Sequence, residues 1–263
     1  MKSGNIILPI LLCYSVFSEA QDLMKVDNSF LTNSTRYQIK SKGFSNLIPK
    51  FFFGDYRLEY AKAGWERNYS RGRGKFFYPQ GAFDFTNESN QKYSYVLTGP
   101  ETNSLIANVS ANRFEDIFKL QGEQTTTTKI REIRIEFFTE LSLKIDSSEW
   151  QLLVKYEIGS KIPDQFQYTG TLTDGNRTIE IMPVVDHMSG FPDPRFYGTP
   201  GKHYGYQFMV DDEVVAALQI RFTSKNYVWF KNNLDPDLEF VLAGTIPSFL
   251  FMMSWISDYW EDR

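Results

Sequence analysis

A long apolar run near the C-terminus constrains the fold of this chain more than any other feature. No charged residue occurs from Phe240 to Ile256. Asp235-Pro236-Asp237 precedes the run and is typical of a helix start, because Asp accepts hydrogen bonds from free N–H groups, Pro fits the first turn and a second acid complements the helix dipole. As a helix, the run spans roughly 26 Å. A helix that is apolar on every face must be surrounded by lipid or by protein.

Two interpretations of this helix follow, a C-terminal membrane anchor and a helix buried inside the protein. Gly244, Thr245, Pro247 and Ser248 weaken the middle of an anchor, and no basic residue follows it closely. The strands that the upstream sequence predicts would supply an apolar wall around a buried helix. We therefore predict a mainly β fold, an antiparallel closed or partly closed barrel wrapped around a hydrophobic C-terminal α-helix at residues 235–256.

Alternating apolar and polar residues predict most of the strands. The alternation is clear in residues 133–137 and 152–158, where successive side chains must point to opposite faces of a sheet. Residues 168–172 and 178–182 flank an Asp-Gly pair and predict a hairpin, since Gly adopts the positive φ that tight hairpins need. A second hairpin is predicted at residues 206–220, around Asp211-Asp212.

Short aromatic runs separated by Gly, Asn, Ser and Pro predict further strands upstream and downstream of these hairpins. The upstream runs are residues 51–60, 75–78, 82–86 and 93–98, and a final strand is predicted at 227–231.

Length and charge limit the organisation and the partners. The 263 residues fit one large domain, and a hydrophobic content of 42% supplies enough apolar surface for a core. We predict a lead-in segment at 21–49 and a single β-rich domain at 50–263. A net charge of -4 excludes the domain-wide basic excess that is typical of nucleic-acid binding, so we expect no nucleic-acid partner.

The N-terminus is typical of a signal peptide. Lys2 is followed by an apolar run from Ile6 to Phe17 and by small residues at Ser18 and Ala20, which predicts a signal peptide at 1–20 that is cleaved after Ala20. Cys13 is the only cysteine and lies inside this segment, so the mature chain has none. An exported protein without disulfides fits a bacterial envelope, and we expect a periplasmic, outer-membrane-surface or extracellular location.

Several segments resemble known families. Tyr206–Ala217, Val228–Phe230 and Asp235–Ala243 resemble the tubby-like group, which includes LURP-one-related proteins and phospholipid scramblases. The resemblance covers about the last sixty residues and implies a barrel around a C-terminal helix, and contact with lipid or phosphoinositide. Phe53–Tyr56 and Gly64-Trp65 are similar to segments of uncharacterised exported proteins of Bacteroidota. These likenesses carry no site residues across.

One basic cluster is a candidate ligand site. Arg71, Arg73 and Lys75 lie close to Arg67 and Tyr69, and Gly72 and Gly74 separate the three. Such a mixture suits an anionic lipid headgroup or a glycan phosphate, because glycines let backbone N–H groups approach an anion closely. The interpretation that we favour from the sequence is a solvated turn that leads into an aromatic strand.

The sequence assigns no catalytic residue, metal ligand or cofactor. His187 and His203 are the only histidines, and with Asp193 they mark a glycine- and proline-rich loop where a metal or acid/base cluster is conceivable. We interpret them as ordinary polar loop residues. Paired carboxylates occur at Glu115-Asp116 and in the ranges 211–213 and 235–239. Each pair also has a structural explanation, in a strand, a turn and a helix cap.

These observations favour an exported, non-catalytic envelope protein that binds lipid or another anionic ligand, with lipid or an envelope protein as partner. A secreted glycan-acting hydrolase and a surface scaffold remain as alternatives. The sequence leaves the oligomeric state open.

Overall fold

The computed structural model describes residues 24, 26–45, 48–77, 80–121, 126–144, 148–160, 166–185, 204–220 and 225–261. The helices are α1 (Asn28–Thr32) and α2 (Pro236–Glu261), and Pro100–Thr102 forms a 3₁₀ turn. The strands are β1 (Ser34–Ser45), β2 (Ile48–Phe53), β3 (Tyr56–Ala63), β4 (Arg67–Phe77), β5 (Gln80–Thr98), β6 (Ser104–Gln121), β7 (Thr126–Leu143), β8 (Glu149–Ile158), β9 (Phe166–Thr173), β10 (Thr178–Val185), β11 (Tyr204–Val210), β12 (Glu213–Ile220) and β13 (Asn226–Lys231).

Twelve of these strands close into an antiparallel barrel. From β5 to β13 each strand pairs with the next, β13 pairs with β1, and β1 and β2 lead to β3. The ring closes where β3 pairs with residues 93–98 of β5, while β4 pairs with β5 alone and lies outside the ring. The predicted fold class, an antiparallel barrel around a C-terminal helix, is confirmed.

Helix α2 fills the barrel. Every residue from Phe240 to Phe249 is buried, and the helix packs against β6, β7 and β12. Small residues allow this close approach: a Cβ atom on Gly244 would lie 2.5 Å from a methyl carbon of Leu105. Among the described residues, no helix is long and apolar enough to cross a bilayer. The apolar run from Phe240 to Met252 thus contributes to the core of the barrel, and the strands surround it.

Polar side chains of the wall form hydrogen bonds with α2. Pro247 lies within the helix and has no N–H to donate to the preceding turn. The Tyr95 hydroxyl donates to the Gly244 carbonyl at 2.6 Å and lies 2.8 Å from Ser248 Oγ, which is 3.1 Å from Thr139 Oγ1. Burial raises the pKa of Tyr95. Because these groups are buried, their pairing fixes one position of the helix along the barrel axis.

Most predicted strands are confirmed, with two differences. Residues 51–60 are a hairpin and not one strand, because Gly54 adopts a φ of 53° and turns the chain between β2 and β3. The runs at 82–86 and 93–98 belong to the single long strand β5. Both predicted hairpins form, as β9–β10 and β11–β12, and Asp211 and Asp212 take the positive φ values of a tight turn.

The segment before β1 packs on the outside of the barrel. Met24, Val26 and Phe30 are buried against Ala217 and Trp229. The backbone N–H of Met24 donates to the side chain of Gln219 at 2.7 Å. Within the predicted lead-in, β1 then pairs with both β13 and β2. This part of the chain thus joins the barrel.

Candidate functional site

Strands β5, β6 and β7 continue past the closed ring and form an arm together with β4. The arm consists of β4, residues 80–90 of β5, residues 112–121 of β6 and residues 126–132 of β7. It arises because β3 pairs with β5 only at residues 93–98 and β8 pairs with β7 only from Ile133 onward. Strands β5 and β6 pair without interruption along their whole length, from Gly81 opposite Gln121 to Thr98 opposite Ser104. The arm is therefore a direct continuation of the barrel wall.

One face of the arm continues the inside of the barrel and carries a polar network. Arg113 donates through Nε to Glu115 at 2.7 Å and also contacts this carboxylate through Nη2. Asn87 donates to Glu115 at 3.1 Å, and Ser70 donates to Asn87 at 2.6 Å. Glu115 is buried, with 2% of its surface exposed. The network joins β6, β5 and β4 and so fixes the edge strand β4 to the arm.

The opposite face of β3 and β4 forms one continuous row. Strands β3 and β4 pair with the same edge of β5, one after the other. Their outward-pointing side chains lie opposite the even-numbered residues 84–96 of β5. We call this row the outer stripe: Tyr60, Lys62, Arg67, Tyr69, Arg71 and Arg73. At about 3.3 Å per residue of β5, the outer stripe is roughly 40 Å long.

The outer stripe is exposed, aromatic and basic. All six of its side chains are exposed, including Tyr60 at 44% and Tyr69 at 61%. Trp65 lies in the break between β3 and β4 and is 93% exposed. Five basic and two acidic residues occur between Arg57 and Arg73, in a chain whose net charge is -4. Positive charge is thus concentrated on this segment of an acidic protein.

One neighbouring cation of the arm, Arg131, is already paired. A β-bulge at Arg131 turns this side chain to the outer face. There its guanidinium lies 2.6 Å from Asp84 and 3.5 Å from Asp116, and 5.3 Å above the Phe118 ring. By contrast, Arg67, Arg71 and Arg73 make no ion pair with any residue that the structure describes. Among the described residues, Arg67, Arg71 and Arg73 thus place positive charge without an ion-pair partner on β4.

The structure brings the predicted ligand residues together on one strand. Arg71 and Arg73 are exposed neighbours on the outer face of β4, the edge strand of the arm. Lys75 is opposite Ala82 in the same register, so its position belongs to the same row, although its side chain lies outside the described residues. The assignment of these three residues to a ligand stays a prediction.

Sequence reasoning missed Tyr60, Lys62 and Trp65 as part of this surface. The signal was present as aromatic and basic residues at 60–69, but residues 51–60 were predicted to be one strand. The common face of β3 and β4 depends on their shared pairing with β5, and a local pattern does not show that pairing.

The paired carboxylates fall into structural positions. Glu115 and Asp116 are consecutive on β6 and point to opposite faces, Glu115 toward Arg113 and Asp116 toward Arg131. Among the described residues, no three His, Cys, Asp or Glu side chains lie close enough together to hold a metal ion. The loop with His187, Asp193 and His203 lies outside the described residues.

The far end of the barrel has the opposite charge. Here α2 begins and several tight turns meet, and Asp55, Asp211, Asp212, Asp235 and Asp237 are all exposed. Burial, assisted by the nearby Glu239 carboxylate, raises the pKa of Tyr56 at this end, and Tyr56 donates to Glu239 at 2.9 Å. We call this the acidic end. The molecule is polarised along its length, with the outer stripe running away from the acidic end.

Comparison with known proteins adds no assignment, since no family model, curated protein or solved structure matches the chain.

Proposed function

We propose that this chain is an exported, non-catalytic binding protein of the cell envelope that binds a phosphate-bearing anion on β4. The anion is a lipid headgroup or a glycan phosphate, which share the same chemistry. One observation carries the proposal: Arg67, Arg71 and Arg73 are exposed on one face of an edge strand and lack an ion-pair partner among the described residues. The barrel and α2 serve as the rigid support that holds this strand out.

The geometry suits phosphate. Residues two apart on a strand lie about 7 Å from each other on the same face, so Arg71 and Arg73 can contact one phosphate or two adjacent ones. A guanidinium matches the phosphate oxygens with two parallel hydrogen bonds. The same arginines also keep a free edge strand from pairing with other strands. A binding measurement separates this protective role from ligand binding.

Neutralising two arginines is expected to abolish most of the binding. Each cation near an anionic surface contributes about 1 kcal/mol, so Arg71→Gln with Arg73→Gln should weaken binding roughly 30-fold. Binding is measured by co-sedimentation with phosphatidylglycerol vesicles and by titration with soluble polyphosphate, at low and high salt. Because both side chains are exposed, the variant should unfold at the same urea concentration as the wild type.

Lys144→Gln is the matched control, since Lys144 is exposed and lies at the acidic end. It should bind as the wild type does. Equal binding by the double variant, or no binding of the wild type to either phosphate probe at low salt, would contradict the proposal. If a pull-down with the wild type instead recovers one stoichiometric protein from envelope extracts, the surface scaffold is favoured. If the wild type cleaves a glycan in a panel of substrates, the hydrolase is favoured.

A further inference from the structure

We infer that the outer stripe docks flat on an anionic lipid bilayer, with Trp65 and Tyr69 entering the headgroup layer. This inference rests on the proposed phosphate binding by β4, and it identifies the source of the phosphate as a membrane. Shape, aromatic exposure and charge each support it.

The shape of the surface favours a membrane over a small soluble anion. Small ligands are usually held in concave pockets that bury most of their surface. The outer stripe instead lies on the outside wall of a sheet and extends for roughly 40 Å. A long exposed row of this kind contacts many headgroups at once, and each headgroup adds a small favourable contribution. A bilayer supplies such an array of phosphates.

Exposed aromatic residues are concentrated in the outer stripe and in the break between β3 and β4. Of the five large hydrophobic residues that are exposed in the described structure, Tyr60, Trp65 and Tyr69 lie within ten positions of one another. Trp and Tyr combine an apolar ring with a polar group, and this combination suits the boundary between headgroups and acyl chains. Arg67 and Arg71 flank Tyr69 and would reach the phosphates at the same depth. Water is a poor environment for a tryptophan that is 93% exposed, so docking gives this side chain a favourable location.

Charge polarity orients the molecule on the surface. An anionic bilayer attracts the arginines of β4 and repels the exposed carboxylates of the acidic end, including Asp211 and Asp212. The arm therefore lies against the membrane, and the acidic end is the end of the barrel farthest from the arm. This orientation places β4, and not the start of α2, against the lipid.

A tryptophan measurement tests this docking. The probes are vesicles of phosphatidylcholine with phosphatidylglycerol, the same vesicles with brominated acyl chains, and pure phosphatidylcholine. Trp150 and Trp229 are buried. The signal that is lost in Trp65→Phe belongs to Trp65, whatever Trp255 and Trp260 contribute. We expect brominated anionic vesicles to quench the wild type more strongly than this variant, and Trp65→Ala to bind anionic vesicles roughly ten-fold more weakly.

Met182→Ala serves as the matched control, because Met182 is 48% exposed on β10, outside the outer stripe. It should leave vesicle binding unchanged. If Trp65→Ala binds vesicles as tightly as the wild type and no quenching is lost in Trp65→Phe, docking through the stripe is wrong. If polyphosphate binding in that case still depends on Arg71 and Arg73, the proposed function stands. If it does not depend on them, both the docking and the proposed function are wrong.

Discussion

A chain that ends at Asn233 is expected not to fold, because it lacks the helix around which the barrel closes. The truncation removes eight buried side chains of the core: Phe240, Val241, Leu242, Ala243, Ile246, Phe249, Phe251 and Met252. Burying one large apolar side chain contributes about 1.5–3 kcal/mol. Their sum exceeds about 10 kcal/mol, which is as large as the whole net stability of a typical domain, about 5–15 kcal/mol. An empty barrel of these strands would therefore collapse or aggregate.

Fractionation without detergent, followed by near-ultraviolet circular dichroism, measures this effect. Phe249→Ala provides an intermediate case and should lower the free energy of unfolding by about 3–5 kcal/mol while the protein still folds. Met182→Ala changes an exposed side chain and should leave the free energy of unfolding within about 0.5 kcal/mol of the wild type. A truncated chain that is soluble, with native near-ultraviolet signals, would show that α2 is not the core.

Replacing Arg113 with Met should destabilise the protein by about 3–5 kcal/mol, since the buried Glu115 carboxylate then loses its cation. Glu115 would keep the hydrogen bond from Asn87. Because the network reaches Ser70, the edge strand β4 should also exchange its amide hydrogens faster. Urea unfolding gives the change in stability, and hydrogen exchange gives the local effect.

The double variant Arg113→Met with Glu115→Leu tests the cause. It removes both charges, so the free energy of unfolding should return to within about 1–2 kcal/mol of the wild type. Arg134→Met breaks the ion pair with Glu132 at 2.8 Å on the exposed outer face and should cost at most about 1 kcal/mol. If the single variant Arg113→Met is as stable as the wild type, the network does not hold the arm.

The fold could be predicted where local chemistry determines it. Asp235 and Pro236 mark the start of α2, Asp-Gly marks the turn between β9 and β10, and the alternation at Ile133 predicts β7. The strand pairings that close the barrel could not be predicted in this way. The pairing of β3 with β5, and of β1 with β13, joins segments that are distant in the chain, and their register depends on the shape of the whole core. No local pattern encodes such a register.

The candidate site likewise could be predicted only where local sequence determines it. Arg71 and Arg73 were predicted because basic residues between glycines are visible in the sequence. Tyr60 and Trp65 were not, since their relation to these arginines requires the turn at Gly54 and the common alignment of β3 and β4 along β5. The sequence thus supplies the chemistry of the surface, and the topology supplies its extent.

Hydrogen exchange with and without phosphatidylglycerol vesicles tests the central claim most directly, because it locates the contact without altering the protein. The account predicts slower exchange in residues 60–73 when vesicles are present. The turn at Asp211-Asp212 should exchange at the same rate in both states. Protection at the acidic end, or no protection of β3 and β4 while the protein is bound to vesicles, would contradict the assignment of the outer stripe as the binding surface.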